Sequence, residues 1–235
     1  MQPKVLVGCP TYSGMEYCLD KYAKAVKSLT HPNYDILLVD NSKDNSYKKK
    51  IEGYGIKVIK DEFKEKPIDR VVSSRNILRE HALSNGYDCL LSLEQDVIPP
   101  RNVIELLLRH KKPAITGIYY KPFRLRIKFQ NREVVRKSIR PLIYKFIPGI
   151  KDKFHFCTAK DVADPKLMRI AASGIGCMLI DKETLSKIPF RSDGTAFDDN
   201  FFCEDLRNSN IPLFADTTVK CMHLILKKPE QTKKE

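Results

Sequence analysis

Cys89-Leu90-Leu91-Ser92-Leu93-Glu94-Gln95-Asp96-Val97-Ile98-Pro99-Pro100 is the stretch from which the fold of this chain can be read. Four apolar residues among the first five predict a short buried strand, and the two prolines cannot extend a ladder, so the chain leaves the sheet just after Asp96. Two carboxylates then stand at the carboxyl end of a strand. In open α/β sheets that is where the ligand crevice lies. On a backbone that stays extended, Glu94 and Asp96 share a face and can direct hard oxygen ligands at one Mg²⁺ or Mn²⁺. Carboxylates after a strand also serve as turn formers, or as caps for the helix predicted over residues 101–110. The residues alone leave both readings open.

Outward from this strand, helical and extended patterns alternate. KVLVG (residues 4–8) predicts a buried first strand, followed by a loop over residues 9–14. Residues 16–29 carry Leu19, Tyr22, Ala23, Val26 and Leu29 on one helical face. DILLVD (35–40) predicts a second strand, a polar loop spans 41–46, and IKVI (56–59) predicts a third strand. The next helix, over 69–83, has an apolar stripe of Ile68, Val71 and Val72 that continues into Arg75 and Asn76. A cation on a core-facing stripe is costly unless something pairs with it. Bidentate phosphate binding would do so, and so would a carboxylate at the helix flank. PAITGIYY (113–120), CMLI (177–180) and a strand pair near 213–216 and 218–223 complete a pattern of βα units around a largely parallel sheet. Small residues at 171–176 permit close approach of backbone or ligand.

The chain has 235 residues, is 42% hydrophobic, and carries 42 Lys and Arg against 29 Asp and Glu, for a net charge of +13. Length and apolar content predict one folded domain with an elaborated second half. No apolar run reaches the ~18 residues of a membrane span and the N-terminus lacks a leader pattern, so the expectation is a soluble, cytoplasmic protein. The seven cysteines form no CxxC pair, which argues against a zinc knuckle or a disulfide framework. Residues 121–160 hold 12 basic and two acidic residues. A field of that size favours an anionic partner: nucleic acid, an anionic membrane surface at the inner face, or a phosphorylated substrate.

Several of these short stretches, taken in order, resemble glycosyltransferase family 2 and related enzymes with the GT-A fold. They are Pro10-Thr11-Tyr12, the run from Pro32 to Asp44, Ser74-Arg75-Asn76, Glu94-Gln95-Asp96 in place of Asp-x-Asp, and Glu204-Asp205 in place of an acidic pair. The resemblance implies a Rossmann-like nucleotide-diphospho-sugar transferase fold, with a mostly parallel central sheet flanked by helices, in a single domain over 1–235. Residues 1–117 would bind the nucleotide-sugar, 118–170 would form a basic variable acceptor-side segment, 171–224 an acceptor and catalytic half, and 225–235 a charged tail.

Carried over by position, Pro10, Thr11, Tyr12, Asp40, Asn41, Arg75, Glu94 and Gln95 would line the nucleotide-sugar, with Arg75 on the diphosphate. Glu94, Asp96 and His223 would hold Mn²⁺ or Mg²⁺. Asp205, supported by Glu204, would deprotonate the acceptor hydroxyl, giving an inverting displacement. Glu94 lengthens one ligand arm relative to Asp, and Asn41 replaces an acidic residue common at that place. The implied partner is a nucleoside-diphosphate-sugar donor, with an anionic or lipid-linked acceptor as the expectation from charge. The competing reading is a non-catalytic protein that binds nucleic acid or a nucleotide-sugar. Its nucleic-acid form would use the basic segment with its interleaved Phe123, Phe129, Tyr144, Phe146, Phe154 and Phe156, and would leave the carboxylate clusters without a role.

Overall fold

The computed structural model describes residues 2–129, 132–150 and 153–225. The last ten residues of the predicted tail lie outside the described residues, as do residues 130–131 and 151–152 within the basic segment.

An eight-stranded mixed sheet forms the centre. In spatial order its strands are Leu167–Ile170, Leu213–Lys220, Ala114–Ile118, Cys177–Asp181, Cys89–Leu93, Val5–Thr11, Tyr34–Asp40 and Lys57–Lys60. Four of its seven pairings are parallel, those of Val5–Thr11 with both neighbours among them. Cys177–Asp181 runs antiparallel to both strands it separates.

Strand periodicity explains the layers. Val5, Val7 and Cys9 point into one core with Leu38, Leu91 and Leu93, while Leu6, Leu37, Val39 and Leu90 point into the other. The helices Glu16–Lys27, Ser46–Glu52 and Val103–Leu108 cover the first face through Tyr22, Val26, Ile51 and Leu107. Pro67–Ser84, Lys182–Lys187 and Asp198–Asn208 cover the second through Leu78, Leu185 and Phe202. Pro67 opens its helix at a first-turn position, where a missing N–H costs nothing. Asp181 caps the next helix but one, accepting from the Thr184 N–H at 2.7 Å.

The basic segment is more regular than its sequence suggests. Tyr120–Phe129 pairs with Arg132–Pro141 as an antiparallel hairpin, and Ile143–Phe146, Phe154–Phe156 and Ala172–Ser173 form a three-stranded sheet. Phe123, Tyr144, Phe154 and Phe156 pack on one another, with Tyr144 and Phe156 centred 4.1 Å apart and Phe123 edge-on to Phe156 at 4.7 Å. These rings are therefore largely spent on internal packing. The strand predicted in two parts near the end is a single strand, Leu213–Lys220, with a register shift between Ala215 and Lys220. Among the described residues no helix is long and apolar enough to cross a membrane. All seven cysteines are buried and free.

Candidate active site

The central strand ends at Leu93, and the chain turns at once, with the Val97 N–H donating to the Glu94 carbonyl at 2.9 Å. Glu94 and Asp96 are consequently not successive residues on one face of an extended strand. Both line the cleft at the carboxyl ends of the strands, but they serve different partners.

Asp96 faces His223. A two-residue ladder pairs Met222 with Ile98 and His223 with Val97, and it brings His223 Nε2 to 3.2 Å from the Asp96 carboxylate. His223 Nδ1 lies 2.7 Å from the Tyr120 carbonyl, so it carries a proton and donates it there. Burial disfavours a charged His223, but the bonds to Asp96 and to the Tyr120 carbonyl outweigh it and raise its pKa. When the ring is neutral, its Nε2 lone pair faces Asp96. A ring nitrogen whose partner nitrogen is fixed by a backbone carbonyl, set beside a carboxylate, fits a divalent cation.

Glu94 is bound instead to Arg75. The guanidinium is 4% exposed, with NH1 donating to Ser92 Oγ at 2.7 Å, NH2 to Glu94 at 2.9 Å, and Nε in an ion pair with Asp198. Burial opposes the Arg75 charge, yet Asp198 and Glu94 more than offset it and hold its pKa above the ordinary value. Arg75 thus answers the question its place on the helical stripe poses: its partners are carboxylates. Burial raises the Glu94 pKa while Arg75 works against that rise. The small residues at 171–176 serve this same corner, since a Cβ at Gly176 would sit 2.8 Å from the Tyr119 hydroxyl and 2.9 Å from Glu94.

The helix Asp198–Asn208 enters the cleft with its first turn. Asp198 and Asp199 line it together with Tyr119, Lys121 and Phe197. Burial raises the Asp199 pKa, Asp198 adds to the rise, and Arg75 and Lys121 oppose it. Glu204 and Asp205 do not line the cleft. Asp205 holds Arg191 by two bonds of 2.7 Å, and Glu204 lies 3.6 Å from the same guanidinium. In place of Glu204–Asp205, the acidic pair that lines the cleft is Asp198–Asp199. Those residues lie roughly 10 Å back along the axis, at 1.5 Å per residue, where the helix begins at the cleft.

The remaining positions divide in the same way. Pro10, Thr11, Tyr12, Asn41 and Gln95 border the cleft, and Tyr12, Asn41 and Arg70 continue into an adjoining pocket of about 440 Å³ that reaches Lys43 and Phe63. Thr11 and Gln95 are hydrogen-bonded to each other, and Gln95 also reaches Tyr47 and the Met15 carbonyl, so this pair braces the loop. Asn41 donates to Ser74 at 3.0 Å. Asp40 is fully buried, accepting from the Ser42 N–H at 3.0 Å and hydroxyl at 2.6 Å. It shapes the loop from beneath and does not line the cleft. Sequence motifs pass over Lys121, Phe197 and Asp199. The signal for Asp199 is an acidic pair in a helical first turn, which the helix dipole favours. Lys121 had no such signal.

No family model matches the chain, and no curated protein sequence matches it. Solved structures do. It is similar to A197 from STIV, with 16% identity and a TM-score of 0.53, over 94% of this chain and 86% of that one. It is similar to GalNAc-T7 with UDP, GalNAc and Mn²⁺, with 13% identity and a TM-score of 0.66, over 95% of this chain and 44% of that one. It is similar to the mannosyltransferase PcManGT from Pyrobaculum calidifontis in complex with GDP-Man and Mn²⁺, with 12% identity and a TM-score of 0.62, over 99% of this chain and 59% of that one. The chain spans about half the length of these two enzymes. Likeness at such identities establishes the fold, and the fold is GT-A.

Proposed function

We propose that this chain is a metal-dependent glycosyltransferase that moves a sugar from a nucleoside-diphosphate-sugar to an acceptor hydroxyl. The observation that carries the reading is the meeting of Asp96, His223 and Asp199 in one cleft, on a sheet whose strand ends form the ligand crevice. Asp96 and His223 Nε2 would hold Mn²⁺ or Mg²⁺, which when bound neutralises charge developing on the departing diphosphate. Tyr120 fixes the ring of His223 through its carbonyl. Glu94 belongs to this assembly indirectly, by holding Arg75.

Tyr12, Asn41 and the pocket toward Phe63 take the nucleoside. Asp199 accepts the proton of the acceptor hydroxyl, a role for which a pKa raised by burial suits it. With a carboxylate that only accepts a proton, one displacement inverts the anomeric centre. Arg75 fixes Asp198 beside it and so sets the first turn of the helix.

The acceptor side is formed by the hairpin and by exposed Tyr17, Phe197 and Ile225, which line the cleft with Pro122 and Leu142. Strands Tyr120–Phe129 and Arg132–Pro141 hold eight basic residues and one acidic, with Lys121 opposite Arg140 in register. Like charges directly opposite across a ladder destabilise it, and an anion bound beside them would offset that repulsion. An anionic or lipid-linked acceptor matches both features.

Calorimetric titration of nucleoside diphosphates with and without Mn²⁺ tests the donor half. Binding is expected to tighten with the ion, and Asp96→Ala to remove that gain; equal metal dependence in both proteins takes Asp96 out of the site. Cosedimentation with vesicles tests the acceptor half. It is expected to need anionic lipid and to weaken as salt rises, because exposed charges are screened beyond ~8–10 Å at such ionic strengths. Turnover of a soluble neutral acceptor without vesicle binding counts against it.

A further inference from the structure

The helix stripe offers Arg75 as the cation for the donor diphosphate, and the structure withdraws the offer. All three of its guanidinium nitrogens are engaged, by Ser92, Glu94 and Asp198, and the group is buried above the Phe190 ring at 5.9 Å. Moving it onto a phosphate would leave two buried or half-buried carboxylates without their partner, which is strongly unfavourable. Arg70 lies farther out, its NH1 donating to the Lys64 and Glu65 carbonyls and its guanidinium stacked on Phe63 at 4.9 Å. The cleft between Arg70 and Asp199 therefore needs another positive group. Its lining has four carboxylates, Glu94, Asp96, Asp198 and Asp199, and a nucleoside diphosphate adds further negative charge that one divalent ion does not neutralise.

We propose that Lys121 is the residue that binds the donor diphosphate and stabilises it as it leaves, a role that rests on the transferase reading above. Lys121 is exposed and lines both compartments of the cleft, the one with Thr11, Tyr12 and Arg70 and the one with Asp199 and His223. Among the described residues no carboxylate lies within ion-pair distance of its ammonium. Its backbone follows Tyr120, whose carbonyl receives the proton of His223 Nδ1, so the root of the side chain is fixed beside the candidate metal ligands. The rest of the side chain is a flexible four-carbon stem with three donors. Such a group can follow a phosphate as its charge grows, where a clamped guanidinium cannot. Lys121 is also the first cation of the hairpin, so the strand that begins the acceptor side also supplies a donor contact.

The test is calorimetry on wild type, Lys121→Gln and Lys121→Arg, with Mn²⁺ present, using UDP, GDP, ADP and CDP and the matching monophosphates. For each diphosphate that binds wild type, Lys121→Gln is expected to weaken binding roughly 10- to 100-fold, the range for a hydrogen bond to a charged group. The monophosphate should change only a few-fold, Lys121→Arg should restore most of the diphosphate affinity, and the melting temperature of the free protein should not move. A Lys121→Gln protein that binds the diphosphate like wild type, or that loses mono- and diphosphate alike, overturns this assignment and leaves the transferase reading intact. Wild-type protein that binds no nucleoside diphosphate overturns both.

Discussion

Each end of the helix Asp198–Asn208 carries an adjacent pair of carboxylates, and the two pairs live in different electrostatic worlds. At the first turn, Asp198 is 3% exposed and paired with a buried arginine, and Asp199 has its pKa raised by burial beside it. Two turns on, Asp205 and Glu204 share Arg191, a side chain 45% exposed that also lies over Phe201. A carboxylate held by a solvated arginine is a surface brace. A carboxylate held at the rim of a cleft by burial, with its neighbour absorbing the arginine, is available to take a proton. Residue type is the same in both places; what differs is access to water and the identity of the cation.

The sharpest way to break this contrast is Asp199→Asn, which keeps the size and removes the basicity. Turnover is expected to fall by ~10²–10⁴-fold while nucleotide affinity holds, measured by single-turnover kinetics and calorimetry. The same carboxylate is expected to set the acid limb of the pH profile. Since the base must be ionised and its pKa is raised, activity is lost on acidification at a pH above that of an ordinary aspartate, and in the asparagine variant that limb disappears. An unchanged acid limb in Asp199→Asn would falsify the assignment.

Next in size is Asp198→Ala, expected to act on stability. Removing one partner of a buried ion pair costs ~3–5 kcal/mol, a melting temperature lower by roughly 10 °C for a chain of this length. Asp199→Asn should leave the melting temperature nearly unchanged, so the two neighbours separate by readout. Equal melting temperatures for the two variants would mean that Arg75 does not depend on Asp198.

The smallest effect belongs to the outer pair. Asp205→Asn and Glu204→Gln are expected to change turnover by no more than a few-fold, because Arg191 is a solvated partner and exposed pairs contribute little. If Asp205→Asn lost as much turnover as Asp199→Asn, the contrast between the two ends would collapse and the motif assignment of the base would return.

Position along the axis explains why the sequence could not choose between the two pairs. Both lie on one helix, Asp198 and Asp205 point in nearly the same direction, and Asp199 lies six residues, roughly 9 Å at 1.5 Å per residue, before Asp205. Local pattern reports direction. It does not report where along its length a helix meets a cleft. Lys121 was hidden for a related reason: in sequence it is one lysine among twelve basic residues, and only the start of the hairpin beside Tyr120 sets it apart.

What the sequence by itself determined follows from short-range periodicity. Near-continuous apolar runs in Val5–Thr11, Tyr34–Asp40 and Cys89–Leu93 dictate strands buried on two faces, and the prolines after Ile98 place carboxylates at the carboxyl end of a strand. The order of the motifs then pointed to the fold that the solved structures share. Tertiary structure alone decided which charges meet. It joined Asp96 to His223 across 127 residues through a two-residue ladder, turned Glu94 and Asp198 onto Arg75, and sank Asp40 beneath its loop. Such pairings depend on distance and on the local exclusion of water, and both are set by packing between segments far apart in the chain.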